Sequence, residues 1–125
     1  MKKSITYGIF LVLTVFFIAS TTRADQALIQ MTGVYEGTWG IGSRSGKIKF
    51  SLSVQADGKL TGELIDITGE KHAVSKSIVG EIQGSTIKID DLANHTLDGT
   101  LTEGRITGDL CGRRCGSLDV RKVVN

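Results

Sequence analysis

Two eight-residue stretches of this chain match position by position. Asp57-Gly58-Lys59-Leu60-Thr61-Gly62-Glu63-Leu64 returns as Glu103-Gly104-Arg105-Ile106-Thr107-Gly108-Asp109-Leu110. Each reads acid, Gly, base, aliphatic, Thr, Gly, acid, Leu. An acid followed by Gly is a tight-turn pair, and the alternation after it is that of a half-buried strand. Each copy therefore predicts the turn and return strand of a β-hairpin, and a chain that uses one hairpin twice is constrained to an antiparallel sheet.

The rest of the chain has the same period. Lys47-Ile48-Lys49-Phe50-Ser51-Leu52-Ser53-Val54-Gln55 alternates polar and apolar without a break, and no window beyond the leader has a helical period. Proline is absent and glycine occurs 16 times. Eight strands are predicted, at Gly33–Gly40, Gly46–Gln55, Lys59–Asp66, Ala73–Ile82, Thr86–Asp90, Thr96–Leu101, Arg105–Cys111 and Cys115–Val123. The links between them are too short for crossovers, so neighbours should be antiparallel. A meander of eight strands leaves two unpaired edges unless it closes on itself. The predicted fold is all-β, a small antiparallel up-and-down barrel of about eight strands. The alternative is an OB-like barrel of five or six strands, with the shorter segments as loops. Gly62 and Gly108 occupy equivalent places on the inward face, where a glycine marks a bend; they are read as the corners that let the sheet curl shut.

The domain starts after a leader. Lys2 and Lys3 precede an apolar run from Gly8 to Ala19, and Thr22-Arg23-Ala24 satisfies the small-x-small cleavage rule. The run is about a dozen residues, where a spanning helix needs about 20. Residues 1–24 are read as a signal peptide of bacterial style and residues 25–125 as one domain, periplasmic or secreted, with no transmembrane anchor after cleavage. The leader carries Lys2, Lys3 and Arg23 and no acid, so 12 of the 15 basic residues remain against 13 acids, a net charge of −1. That balance does not point to nucleic acid, which needs a concentrated basic surface.

Cys111 and Cys115 flank Gly112-Arg113-Arg114. A three-residue turn sets them opposite each other, within disulfide reach, and an exported chain meets an oxidising compartment. Closing so short a loop stabilises by about 2 kcal/mol on the chain-entropy estimate. The spacing is not the Cys-x-x-Cys of redox motifs, and only His72 and His95 are available as further zinc ligands, so no metal site is predicted. The stapled turn presents Arg113 and Arg114 at a rigid tip, and a fixed pair of guanidinium groups suits a carboxylate or phosphate partner.

Gly42-Ser43-Arg44-Ser45-Gly46 has the outline of a nucleophile elbow, but its central residue is Arg44 and it joins two strands. As the first loop at a barrel mouth it offers Ser43, Arg44 and Ser45 to a ligand. Neither His72 nor His95 has a nucleophile placed beside it. Asn94-His95-Thr96 is a glycosylation sequon that a bacterial exported chain leaves bare. No cofactor is predicted, and no constellation supports an enzyme.

Gly37-Thr38-Trp39 on the first strand resembles the Gly-x-Trp signature of calycin barrels, the group of lipocalins and avidins. Val54–Leu64 looks like the second hairpin of the avidin type. The resemblance covers roughly Thr32–Leu64, about a third of the mature chain. It implies a closed barrel with a ligand at its mouth and Trp39 beside that ligand, and it implies a basic residue of the last strand, Arg121 or Lys122, packed against Trp39. The biotin ligands of avidins carry over only in part. Ser45 matches, but Ile41 stands for an Asn, Leu64 for a Tyr, and Trp39 is the chain's one tryptophan. The expected function is an exported, non-enzymatic binding protein for a small apolar or amphipathic ligand. The alternative is a protein-interaction or inhibitor module that meets an envelope or extracellular protein through Arg113 and Arg114.

Overall fold

The computed structural model describes residues 30–124. The predicted signal peptide, residues 1–24, lies outside the described residues. The described chain forms eight strands, β1 Gly33–Ile41, β2 Arg44–Val54, β3 Lys59–Ile67, β4 Ser77–Gln83, β5 Thr86–Leu92, β6 His95–Thr102, β7 Arg105–Cys111 and β8 Cys115–Val124. They close into one antiparallel barrel in which each strand pairs with its sequence neighbours and β1 pairs with β8. The eight-stranded closed barrel is the predicted fold and is compatible with a calycin-like barrel; the five- or six-stranded alternative is not adopted. Among the described residues no helix is long and apolar enough to cross a membrane.

Alternation puts one face of every strand inside. Tyr35, Phe50, Leu60, Ile78, Ile89, Leu97, Ile106 and Val120, one from each strand, belong to a single buried cluster. Tyr35 stacks on Phe50 with ring centroids 6.0 Å apart. Eight strands enclose a space that side chains can just fill, and here the aliphatic residues of all eight converge in it.

Curvature is set where the inward residue has no side chain. A Cβ on Gly62 would stand 2.0 Å from the Ser51 carbonyl oxygen, and one on Gly108 would stand 2.4 Å from that of Asp98. At both places a strand folds in against its neighbour so closely that only a hydrogen fits. The two sequence copies lie on β3 and β7, four strands apart and so half-way around the barrel from one another.

The two ends of the barrel differ. At one end the turns are laced to the strands beside them. The carbonyls of Gly58, Ser85 and Gly104 accept from the amides of Ile82, Leu101 and Lys122, at 2.7 Å each. In the fourth position, before β1, the Thr32 hydroxyl takes that part by accepting from Val54 N at 2.9 Å. The Tyr35 hydroxyl donates to the Met31 carbonyl at 2.6 Å, and Lys122 Nζ donates to that of Gln30. Residues 30–32 thus seal this end. Lys122 shares its side of β8 with Leu118 and Val120, but Trp39 stands beside Leu118 in the register, four residues away. The lysine runs out of the sealed end instead of packing on the tryptophan.

The opposite end carries the turns β1–β2, β3–β4, β5–β6 and β7–β8. There the structure departs from expectation at β4, which starts at Ser77 and not at Ala73. β3 and β4 pair through Lys59–Glu63 and Ser77–Glu81, and Leu64 N still donates to the Lys76 carbonyl at 2.7 Å. Above that point residues 68–75 form a strap outside the β3–β4 ladder.

The close approaches predict an asymmetry between glycines. Gly62→Ala and Gly108→Ala should each lower stability by about 1–3 kcal/mol, the usual cost of overpacking. Gly40→Ala, whose new Cβ would meet nothing nearer than 3.8 Å, should leave the urea midpoint almost unchanged.

Candidate functional site

The strap starts from Thr68. Its amide donates to the Lys47 carbonyl at 2.9 Å, and its hydroxyl accepts from Lys47 N at 2.8 Å. Its own carbonyl accepts from Trp39 Nε1 at 2.9 Å. The indole is therefore buried with its polar edge satisfied, as a tryptophan in a core requires, and Gly69 lies against the ring. Trp39 serves as inner wall and as anchor for the strap.

Two polar clips hold the strap across the end of the barrel. On the β2 side, Arg44 Nη2 donates to Glu70 Oε1 at 2.5 Å. The same oxygen accepts from the amides of Lys71 at 3.0 Å and His72 at 3.3 Å. Hydrogen bonding from Arg44, aided by those two amides, holds the Glu70 carboxyl below the usual carboxylate range. On the other side is Asn94. Its Oδ1 accepts from Ser75 N at 2.8 Å and its Nδ2 donates to the Ala73 carbonyl at 3.3 Å. One side-chain amide thus stands in for a neighbouring strand. Asn94 is aimed at the strap by its turn: Ala93 and Asn94 both have positive φ, 53° and 68°, the pattern of a two-residue type I′ hairpin.

At the β7–β8 turn Cys111 and Cys115 are register partners joined by a disulfide, with Cα atoms 4.1 Å apart. Inside it Gly112 N donates to the Arg114 carbonyl at 2.9 Å. His95 Nδ1 lies 2.7 Å from the Ala93 carbonyl, so in the neutral ring that nitrogen carries the proton, and the ring rests against Gly112.

These four turns surround a cleft of about 610 Å³, within the range of small-molecule sites. Its apolar surface comes from Trp39, Ile41, Val74 and Ala93; Ser43 and Asn94 add polar groups, and His72 and His95 imidazoles. Three arginines, Arg44, Arg113 and Arg114, line it together with a single acidic residue, Glu70. Arg44 is engaged with Glu70, while Arg113 and Arg114 have no carboxylate partner among the described residues. The remaining ion pair is remote: Arg105 clamps Asp119 on the outer wall.

The structure thus brings Trp39, Ser43 and Arg44 together with Arg113 and Arg114, two groups the sequence offers as separate candidates. It does not bring Ser45 to them. The β1–β2 turn is only Gly42-Ser43, so Ser45 already belongs to β2, pairs with Gly40 and faces a shallow outer recess beside Lys47 and Ser117. Sequence reasoning missed Glu70 as the partner of Arg44 and Asn94 as the clip. The available signal was the Ala93-Asn94 pair between two alternating runs, a turn in which Asn tolerates positive φ. Among the described residues no group of three or more His, Cys, Asp or Glu is assembled as for a metal.

Each clip has its own signature. Asn94→Gly keeps a residue at ease with positive φ and removes the amide; hydrogen exchange at Ser75 should accelerate while the Ile82 and Leu101 amides stay protected. Glu70 tests the other clip through pH. Its carboxyl is depressed in the folded state, so its contribution is complete above the ordinary carboxylate pKa of 4.5 and disappears as pH falls through the lower folded value. In urea titrations the advantage of the wild type over Glu70→Gln should be constant from pH 7 to about 5 and shrink toward pH 3. No protein-family model, curated protein or solved structure matches the chain.

Proposed function

We propose that this protein is an exported, non-enzymatic binding protein that takes a small amphipathic molecule at the open end of its barrel. The observation that carries the reading is the cleft, where an apolar wall of Trp39, Ile41 and Val74 meets the basic side chains of Arg44, Arg113 and Arg114. The barrel interior is occupied by the protein's own core, so the site belongs to the turns and the strap. Turns carried on a rigid scaffold are where binding residues concentrate. The resemblance of Gly37-Thr38-Trp39 to the lipocalin and avidin signature supports the same reading, as does the leader-like segment of residues 1–24.

A second reading has its own support. Arg113 and Arg114 are exposed on a turn already cross-linked by a disulfide, and a pre-ordered loop loses little entropy on docking. A protein partner with an acidic face would use that tip without needing the cleft.

Native mass spectrometry of the protein purified from its export compartment separates the two. The expected result is a mass matching residues 25–125 less two hydrogens, with a small-molecule adduct that survives desalting. A bound second polypeptide and no adduct would move the function to the arginine turn. Reductant should add two hydrogens and, measured separately, lower stability by about 2 kcal/mol.

A further inference from the structure

We propose that the mouth selects ligands by an anionic oxygen head, a carboxylate or phosphate monoester, held by Arg113 and Arg114, with a short apolar body against Ile41 and Val74. This rests on the mouth-binding reading and adds the ligand's chemical class.

The argument begins with charge. Of the three guanidinium groups around the cleft, Arg44 is matched by Glu70 at 2.5 Å. That pair is internal to the wall: the Glu70 side chain is 9% exposed, and its bonded oxygen also serves two strap amides. The strap needs this contact, which leaves Arg44 committed. Arg113 and Arg114 add two positive charges that no carboxylate among the described residues answers. A partly enclosed site strengthens such a field relative to open water.

The second part is preorganisation. Adjacent arginines on a flexible loop would separate under their own repulsion. Here Cys111 and Cys115 tie the base of the turn and the Gly112–Arg114 backbone bond closes it. Arg114 lies over the β1–β2 turn, its Nη1 3.7 Å from where a Gly42 Cβ would stand. One guanidinium is thus carried to the cleft rim beside Ser43, and forked donors of this kind suit the paired oxygens of carboxylate or phosphate. The apolar share of the cleft lies beside this rim, since Ile41 and Val74 pack on the core from the mouth side. An amphiphile with its charge at one end matches that order; a cationic amphiphile does not.

The test uses the chain's one tryptophan, Trp39, whose emission reports on the cleft wall. Residues 25–125, oxidised, are titrated with octanoate, octyl phosphate, octanol and octyltrimethylammonium, each below its micelle concentration, with calorimetry in parallel. The anions should bind about tenfold or more tighter than octanol, the scale of one charge-assisted contact, and the cation should not bind. Their affinity should fall with added salt. The order of octanoate and octyl phosphate then names the source of the head. In Arg113→Gln/Arg114→Gln the preference for anion over alcohol should collapse to about one; Arg105→Gln, on the outer wall, should keep it. Urea midpoints confirm that both variants are folded. Equal binding of octanoate, octyl phosphate and octanol by the wild type overturns the head-group assignment and leaves mouth binding standing. Binding of none of the four overturns both. A preference that survives in the double variant overturns the roles of Arg113 and Arg114.

Discussion

The seam between β1 and β8 is the contact on which everything else depends. Val34–Gly40 and Ser117–Val124 complete the hydrogen-bond ladder, and with it neither strand keeps an open edge. An open eight-stranded meander would present two rows of unpaired backbone groups and a half-covered apolar face. Closure turns that face into a core. It requires the strands to curl tightly, which is why Gly37 on β1 lies where a Cβ would stand 2.0 Å from the Asp119 carbonyl oxygen on β8. The seam and the inward glycines are one device: backbone approaches backbone where side chains would hold them apart.

Closure also makes the two ends separate problems. At one end turn carbonyls take up the amides of nearby strands, and the Thr32 hydroxyl completes the ring. At the other end the wall between β3 and β4 is left unfinished and side chains complete it. Arg44, Glu70 and Asn94 do there what main-chain ladders do elsewhere. Each clip is a few side-chain bonds where the rest of the wall has a continuous ladder. The strap they hold borders the cleft.

Most of the barrel was legible in the sequence because alternation is a local signal. The eight strands, the opposed cysteines and the bends at Gly62 and Gly108 all follow from spacing along the chain. What failed to show depends on partners remote in sequence. Ala73-Val74-Ser75-Lys76 alternates well enough to be read as strand, yet Ala73 and Ser75 are bonded by the Asn94 side chain, and alternation does not register side chains as partners. Ser45 was drawn into a loop because Gly42 and Gly46 both look like turn ends; only register shows that Gly46 packs inside β2. Lys122 shares the parity of Leu118 and Val120, but its partner depends on where Trp39 falls along β8, and that offset is set by the seam. The candidate site was legible as two halves, one around Trp39 and Arg44 and one at Arg113 and Arg114. Their union needed the barrel.

The meander has a consequence for how the chain finds its fold. Seven of the eight strand pairings join sequence neighbours, so they can form as successive hairpins at little entropic cost. The seam alone spans the whole domain. Loop-closure entropy rises only slowly with length, but the seam is paid for in a single step that no smaller contact anticipates. Long-range pairing of this kind slows folding. Chain order makes the seam the last pairing for which both partners are present: a nascent chain carries seven strands with two bare edges until the eighth arrives.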